Sequence, residues 1–424
     1  VEDEEKPATN SKGEILGTKE TINGKEYYTL TTNENGEITA DLTEGLYKVI
    51  EVEAPEQYDI EGQTYYFGIG ASREAQTVMS VTQAISIEGN KSTQISSVEE
   101  TNDGGYIIGG VYTGTIEIGN YTLESKGDFD GLVVKYNKQG EVEWATSIGG
   151  SKDDYIHSVA TTDDGGYIVG GYFQETIKIG NNTLPSAGGS NGIVIKYDSQ
   201  GEVEWTNVIS TNNRSQINSV SETEDGEIFV AGNFIGVVQI GKYELTSDSY
   251  GIYGGNSDGL VVKYDKQGEV QWATNIGGNF SEYFTSISST KDGGCIAAGY
   301  YQSVSFKVGN FTIENKDTYG NTSDGIVVKY SNIGEVEWAT SFGGDNSEYI
   351  NSVSSTKDGG CIVGADFSSR EIEAGDYKLT NRGIFDGMLI EYDNKGNVKW
   401  TENIGGVSTL ASSESSMTVE SCEP

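Results

Sequence analysis

The chain has 424 residues, 65 acidic and 27 basic, for a formal charge of −38, with 58 glycines but only 4 prolines, 3 cysteines and 1 histidine. Such an acidic surface repels nucleic-acid phosphates and anionic lipid headgroups, the lone His157 cannot build a histidine metal site, and collagen's three-residue glycine period is missing. Twenty-six tyrosines, twelve phenylalanines and five tryptophans can build a core, so two or three folded domains are expected rather than a disordered chain. No apolar run reaches the roughly 18 residues of a membrane span. The start Val1-Glu2-Asp3-Glu4-Glu5 reads as that of a mature or excised fragment. Cys295, Cys361 and Cys422 are too few and too widely spaced for a disulfide framework or a zinc knuckle.

Residues 1–78 carry no repeat. Tyr27–Thr32, Glu37–Asp41, Leu46–Glu51 and Thr64–Ile69 read as strands between Asn/Gly turns, whereas Lys6, Lys12, Lys19 and Lys25 fall in charged, turn-like text. The phrase Tyr47-x-Val49-x-Glu51-x-x-Ala54-Pro55-x-x-Tyr58 is similar to the signature of prealbumin-like domains of the collagen-adhesin B type. Those domains are stalk modules of Gram-positive surface proteins and pilins. The resemblance implies a small β-sandwich, and gives Glu51 the role of assisting a spontaneous Lys–Asn isopeptide bond.

From residue 79 to 406 the chain repeats itself. DGLVVKYNKQGEVEWATSIGG, from Asp130, returns from Asn191, Asp258, Asp324 and Asp386, and each copy follows a block such as SVATTDDGGYIVGGYF. All five tryptophans (Trp144, Trp205, Trp272, Trp338, Trp400) share one repeat position, at spacings of 61, 67, 66 and 62 residues. In the second copy, strand A is read over His157–Thr161, then an Asp-Asp-Gly-Gly turn at 163–166, strand B over Tyr167–Phe173 and an arm over Thr176–Leu184. Strand C follows over Gly192–Tyr197, and strand D over Glu202–Ile209. Four-stranded units repeated at this scale predict an all-β fold, a β-propeller whose B–C arm accounts for the extra length. The pattern resembles the SBBP β-propeller repeat of bacterial extracellular proteins, which implies the fold and no shared catalytic residues.

Five copies leave one strand over. Gln83–Gly89 (QAISIEG) aligns with strand D, so either a five-bladed ring carries a spare strand or a larger ring draws strands from beyond Pro424; we favour the second. The Ser-rich tail 407–424 shows no B–C pattern.

Several constellations have bland readings that win. The turns holding Asp103, Asp164, Asp225, Asp292 and Asp358 lack the alternating oxygens of a calcium loop, and two place a lysine where a ligand is needed. No metal or cofactor is expected. The tryptophans are read as inter-blade packing. His157, matched by Asn218, Thr285 and Asn351, is read as a polar strand-edge residue, and Cys295 and Cys361 as strand filling.

Short, uniform A–B and C–D turns contrast with variable D–A and B–C connections, including insertions at 247–257 and 315–323. Variable loops on a regular scaffold carry recognition. The D–A/B–C face is therefore expected to bind, through Tyr155, Asn213, Arg214, Tyr250, Tyr253, Phe280, Tyr283, Tyr319 and Tyr349. Aromatics with Asn and Ser suit glycan or protein ligands. The expectation is a monomeric, non-enzymatic cell-surface or secreted adhesin. A propeller glycosidase or lyase, and a spacer without ligand, are the alternatives.

Overall fold

The computed structural model describes residues 18–22, 25–29, 37–38, 45–50, 64–69, 79–80 and 87–405, apart from 181, 187, 248–255 and 318–320. Every regular element among them is a β-strand. The chain divides into two units, Val1–Ser86 and Ile87–Pro424.

In the first unit, Gly45–Ile50 pairs antiparallel with Thr64–Ile69, and Glu37–Ile38 with Met79–Ser80. One expectation is corrected. Lys19 and Lys25 lie on strands, because Thr18–Ile22 pairs with Lys25–Thr29; the alternation Thr-Lys-Glu-Thr-Ile is strand text despite its charge. Glu51 lies outside the described residues.

In the second unit each repeat forms four antiparallel strands in the order D-C-B-A, and those of repeats 2 and 3 are joined into one eight-stranded sheet by a single parallel bridge, Ser190↔Arg214. Repeat 1 has A Thr93–Glu100, B Tyr106–Tyr112, C Asp130–Tyr136 and D Val142–Ile148. Repeat 2 has Tyr155–Thr161, Tyr167–Gln174, Ser190–Tyr197 and Val203–Ile209. Repeat 3 has Arg214–Glu222, Ile228–Ile235, Asp258–Tyr264 and Val270–Ile276. Repeat 4 has Glu282–Ser289, Cys295–Tyr301, Asp324–Tyr330 and Val336–Phe342. Repeat 5 has Glu348–Ser355, Cys361–Phe367, Asp386–Tyr392 and Val398–Ile404. The B–C arm is itself a hairpin, as in Ile177–Ile179 with Asn182–Leu184. That pairing follows from apolar residues two apart around a turn glycine.

Successive repeats share cores. Ile107, Val133 and Ile148 of repeat 1 pack with Ile156, Val159, Val169 and Ile195 of repeat 2, and like clusters join the later neighbours. Cys295 and Cys361 are free thiols, fully buried in this packing. The tryptophans bridge the same junctions. Trp144 lies against Tyr197 of the next repeat (5.9 Å between ring centroids), Trp205 against Tyr264 (6.0 Å), Trp272 against Tyr330 (5.9 Å) and Trp338 against Tyr392 (6.3 Å). Each also covers the glycine of the next C–D turn. Gly201 has φ +81°, and a Cβ there would sit 2.7 Å from the Trp144 ring, so both backbone and packing require glycine. Trp400, in the last described sheet, donates its indole N–H to Glu391 of its own sheet.

Strand A bonds its backbone mainly to strand B, which leaves outward N–H groups that an edge strand must satisfy. A serine of the preceding repeat accepts one. Val159 N donates to Ser97 Oγ (3.2 Å), Val220 N to Ser158 (3.2 Å), Ile287 N to Ser219 (3.1 Å) and Val353 N to Ser286 (3.1 Å).

A second device is ionic. Lys135, Lys196, Lys263 and Lys329 of strands C are buried, and Lys135, Lys196 and Lys329 each meet an A–B turn aspartate and a strand D glutamate. Lys263 meets Glu227 instead, at 2.5 Å. The strand D residue is the extra one of a β-bulge, since Lys135 pairs with Trp144 and Tyr136 with Val142, skipping Glu143. Repeat 5 reverses both signs: Glu391 replaces the lysine and Lys399 the glutamate, and the pair is kept.

The first repeat differs at its surface. Ile95, Val98 and Tyr106 are 42%, 43% and 41% exposed, whereas their counterparts Ile156, Val159 and Tyr167 are buried against repeat 1. Glu88–Gly89 pairs with the hairpin strand Thr115–Ile118, Glu88 opposite Glu117. The same bridge ends strand D at Gly149↔Lys178 and Gly343↔Glu373. Residues 88–89 therefore sit as the end of a strand D preceding repeat 1.

Candidate functional site

Each strand A carries a bulge near its start, where pairing with strand B skips one residue: Ser96, His157, Asn218, Thr285 and Asn351. A bulge re-aims the side chains around it, and these line the end of the sheet from which the D–A and B–C connections leave. Two residues before the bulges of repeats 2 to 5, Tyr155 stands opposite Tyr172, Gln216 opposite Asn233, Tyr283 opposite Tyr300 and Tyr349 opposite Asp366; in repeat 1 Gln94 stands opposite Val111.

The rings form two groups. Tyr155 stacks on Tyr172 (5.1 Å, 20°), with the Phe129 ring 5.7 Å from Tyr155 and the His157 ring against both tyrosines. Tyr283 stacks on Tyr300 (4.9 Å, 29°), and Tyr349 of the next repeat meets Tyr300 edge-on at 5.0 Å. The bulged residues link repeats. Across repeats, Asn218 Nδ2 donates to Phe284 O (2.7 Å) and Thr285 Oγ1 to Ile350 O (2.6 Å); within their own repeats, Asn218 Nδ2 also donates to Asn233 Oδ1 (3.2 Å) and Asn351 Nδ2 to Asp366 Oδ2 (2.9 Å). Burial lowers the pKa of His157, so the imidazole is neutral at pH 7, and burial raises Tyr300 to about 12.

Of the residues expected on this face, Tyr155, Tyr283 and Tyr349 enter these groups, and Arg214 lies near enough to Tyr172 for its charge to act on it. Asn213 and Phe280 are exposed in D–A loops, Phe280 N donating to Ser303 Oγ (2.8 Å). Tyr250, Tyr253 and Tyr319 lie outside the described residues. Tyr172, Asn233, Tyr300 and Asp366 were not anticipated, being on strand B. Their signal was the third position of GGYF, AGNF, AGYY and GADF, which changes between aromatic, amide and acid while its neighbours stay small or aromatic.

Beneath the face, buried carboxylates pin the loops. Asp154 accepts from Gly150 N (2.7 Å) and Gln174 N (2.9 Å), Glu282 from Gly278 N (2.9 Å) and Ser303 N (3.3 Å), and Glu348 from Gly344 N (3.0 Å) and Ser369 N (3.2 Å). Burial pushes them up to about 7, about 8 and about 7, helped by Asp130, Asp258 and Asp324 of the preceding repeats. The first glycine of each Gly-Gly pair covers that second acid; a Cβ on Gly343 would fall 2.1 Å from the Asp324 carboxyl carbon. The junction between repeats 2 and 3 changes every part at once. Ser210-Thr211 replaces Gly-Gly, and Asn191 and Ser215 replace the acids, with Thr211 N donating to Asn191 Oδ1 (3.2 Å) and Ser215 Oγ to Ile209 O (2.6 Å).

Among the described residues no group of three or more His, Cys, Asp or Glu side chains is placed to hold a metal ion. No helix of the described residues is long and apolar enough to cross a membrane.

Comparison with known proteins divides the chain in two. A family model described as SpaA, a prealbumin-like fold domain, matches residues 3–84. That region is prealbumin-like. The repeat architecture has a counterpart in an uncharacterized WD repeat-containing protein of Acanthamoeba polyphaga mimivirus, 27% identical over 192 residues, which are 40% of this chain and 14% of that protein. The match thus spans about a seventh of the relative's length. Among solved structures, a Bacteroides caccae protein of unknown function covers 70% of this chain and 93% of its own at 13% identity (TM-score 0.33). Sqt1 from Chaetomium thermophilum covers 74% and 84% at 10% identity (TM-score 0.29).

Proposed function

We propose that the repeats are blades of a β-propeller that binds an extracellular glycan or protein through its D–A/B–C face, without catalysis. The propeller reading rests on four antiparallel strands per repeat, cores shared between successive repeats, and strand A bonded to the strand A before it. On this reading the exposed Ile95, Val98 and Tyr106 are where another A–B–C sheet seats. The prealbumin-like region supports an extracellular, cell-surface role, since such domains serve as stalks. The SBBP-like pattern supports the same compartment.

One observation carries the binding reading. The half-buried tyrosines and bulged polar residues recur at one end of the sheets, where their identities vary while the strands beneath stay constant. Rings with one open face stack on sugar C–H surfaces, and the Asn and Thr amides and hydroxyls beside them serve polar ligand groups. The buried carboxylates beneath the face pin loops and are not placed to cleave a glycoside. Glycoside cleavage needs two carboxyl groups open to substrate, whereas Asp154, Glu282 and Glu348 are buried on backbone N–H groups.

A glycan and matrix-protein array run beside a polysaccharide hydrolysis screen tests this. Saturable binding without product is expected, and the Tyr283→Ala/Tyr349→Ala variant should weaken it about tenfold or more, as loss of stacking residues does at a binding hot spot. Product release, or binding indifferent to both tyrosines, overturns the reading.

A further inference from the structure

The junction between repeats 2 and 3 is where the molecule abandons its carboxylates. Asn191 and Ser215 are neutral where the other junctions bury acids, and Arg214 occupies the position held by Asp153, Ser281 and Ser347 in neighbouring repeats. Arg214 is exposed and forms no ion pair among the described residues. At its side the rings of Phe129, Tyr155 and Tyr172 follow one another at 5.7 and 5.1 Å, all half-buried. Arg214 pairs in parallel with Ser190 of strand C, which stands opposite Gln174, two residues along strand B from Tyr172, and its charge opposes the rise that burial, Tyr155, Asp153 and Asp154 impose on the Tyr172 hydroxyl.

Resting on the reading that this face binds ligand, we propose that Arg214 and the Phe129–Tyr155–Tyr172 row form a subsite for a sugar bearing a single carboxylate. The rings supply a flat apolar surface for the pyranose. The guanidinium offers paired N–H donors that match a carboxylate, which an ammonium cannot reproduce. The surrounding charge of −38 repels anions generally, so a carboxylate is admitted only where a guanidinium can pair with it directly. Asp153 borders the rings and accepts from sugar hydroxyls, and it disfavours a second carboxylate there. The ligand is therefore an acidic residue among neutral sugars, not a polyuronate.

The test uses matched oligosaccharides: a neutral one, the same chain ending in a hexuronic acid, the same ending in a sialic acid, and a polyuronate. Calorimetric titration of the whole chain should show one monocarboxylated member bound about tenfold tighter than the neutral one, the worth of a charge-assisted hydrogen bond. Which of the two is preferred identifies the acid. Arg214→Ala should erase that preference while leaving neutral binding in place, and Arg214→Lys should restore only part of it. Equal affinity for neutral and acidic members, or a preference that survives Arg214→Ala, overturns the subsite. If the array ligand is bound in a Tyr283- and Tyr349-dependent way but no acidic sugar is preferred, the subsite falls and the face stands. If nothing on the array binds, the face itself falls.

Discussion

Lys329 is buried at the base of an A–B turn, while its partners Asp292 (2.6 Å) and Glu337 (3.3 Å) have side chains 50% and 42% exposed. The asymmetry decides which change is harmful. Replacing Lys329 by Met keeps the apolar stem and releases two acids that water can solvate. Replacing Asp292 by Asn and Glu337 by Gln leaves an ammonium buried without a counter-charge. We predict that the double variant loses about 1–3 kcal/mol more than Lys329→Met in urea unfolding, the cost of an uncompensated buried charge; equal losses would refute this. None of this was visible in one copy, because a lysine in a strand reads as a solvent-facing residue. The signal lay between copies, where Glu391 and Lys399 exchange signs together.

The tryptophans set the strength of the contacts between sheets. Trp272 is buried between repeats 3 and 4, whereas Trp400 is half-buried and ends the series. Trp272→Ala is expected to cost about 3–5 kcal/mol, and Trp400→Ala under about 1.5. Scanning calorimetry should therefore show a large fall in Tm for the first and a small one for the second. Strands B, C and D were legible to within two residues, since glycine-bearing turns close the A–B and C–D hairpins, as at Thr290–Gly294 before Cys295–Tyr301 and Ser331–Gly334 after Asp324–Tyr330. Strands A were read short, because Tyr155-Ile156 precedes a bulge that breaks the alternation a strand is recognised by. The candidate face was half legible for a related reason. Tyr283 and Tyr349 stand at loop borders, where variation draws notice. Tyr172 and Tyr300 sit inside strand B, where an aromatic residue looks like core.

Across the whole repeat array the buried carboxylates make stability depend on pH. Asp154, Glu282 and Glu348 hold protons up to about 7, about 8 and about 7 when folded, against about 4 in an unfolded chain. Between those limits the folded chain binds more protons at these groups, so their contribution to stability is full below about pH 4 and is lost as pH rises through about 8. The surface charge of −38 pushes in the same direction, but salt screens it and hardly reaches buried groups. In about 1 M salt, Tm should still drop from pH 5 to pH 8, and Glu282→Gln/Glu348→Gln should flatten that slope. A slope unchanged in the variant would assign the effect to the surface.

The serine that accepts a neighbour's strand A amide has a consequence for copy number. Donor and acceptor are the same two positions in every repeat, Ser219 serving Ile287 as Ser158 serves Val220. A duplicated unit thus arrives with both halves of its own fastening, and loss of an intact unit leaves two ends that still match. The array can lengthen or shorten by whole copies without any new residue being invented at the seam. The departures among copies, Arg214 and the Glu391–Lys399 reversal included, are then individual histories written onto an interchangeable part.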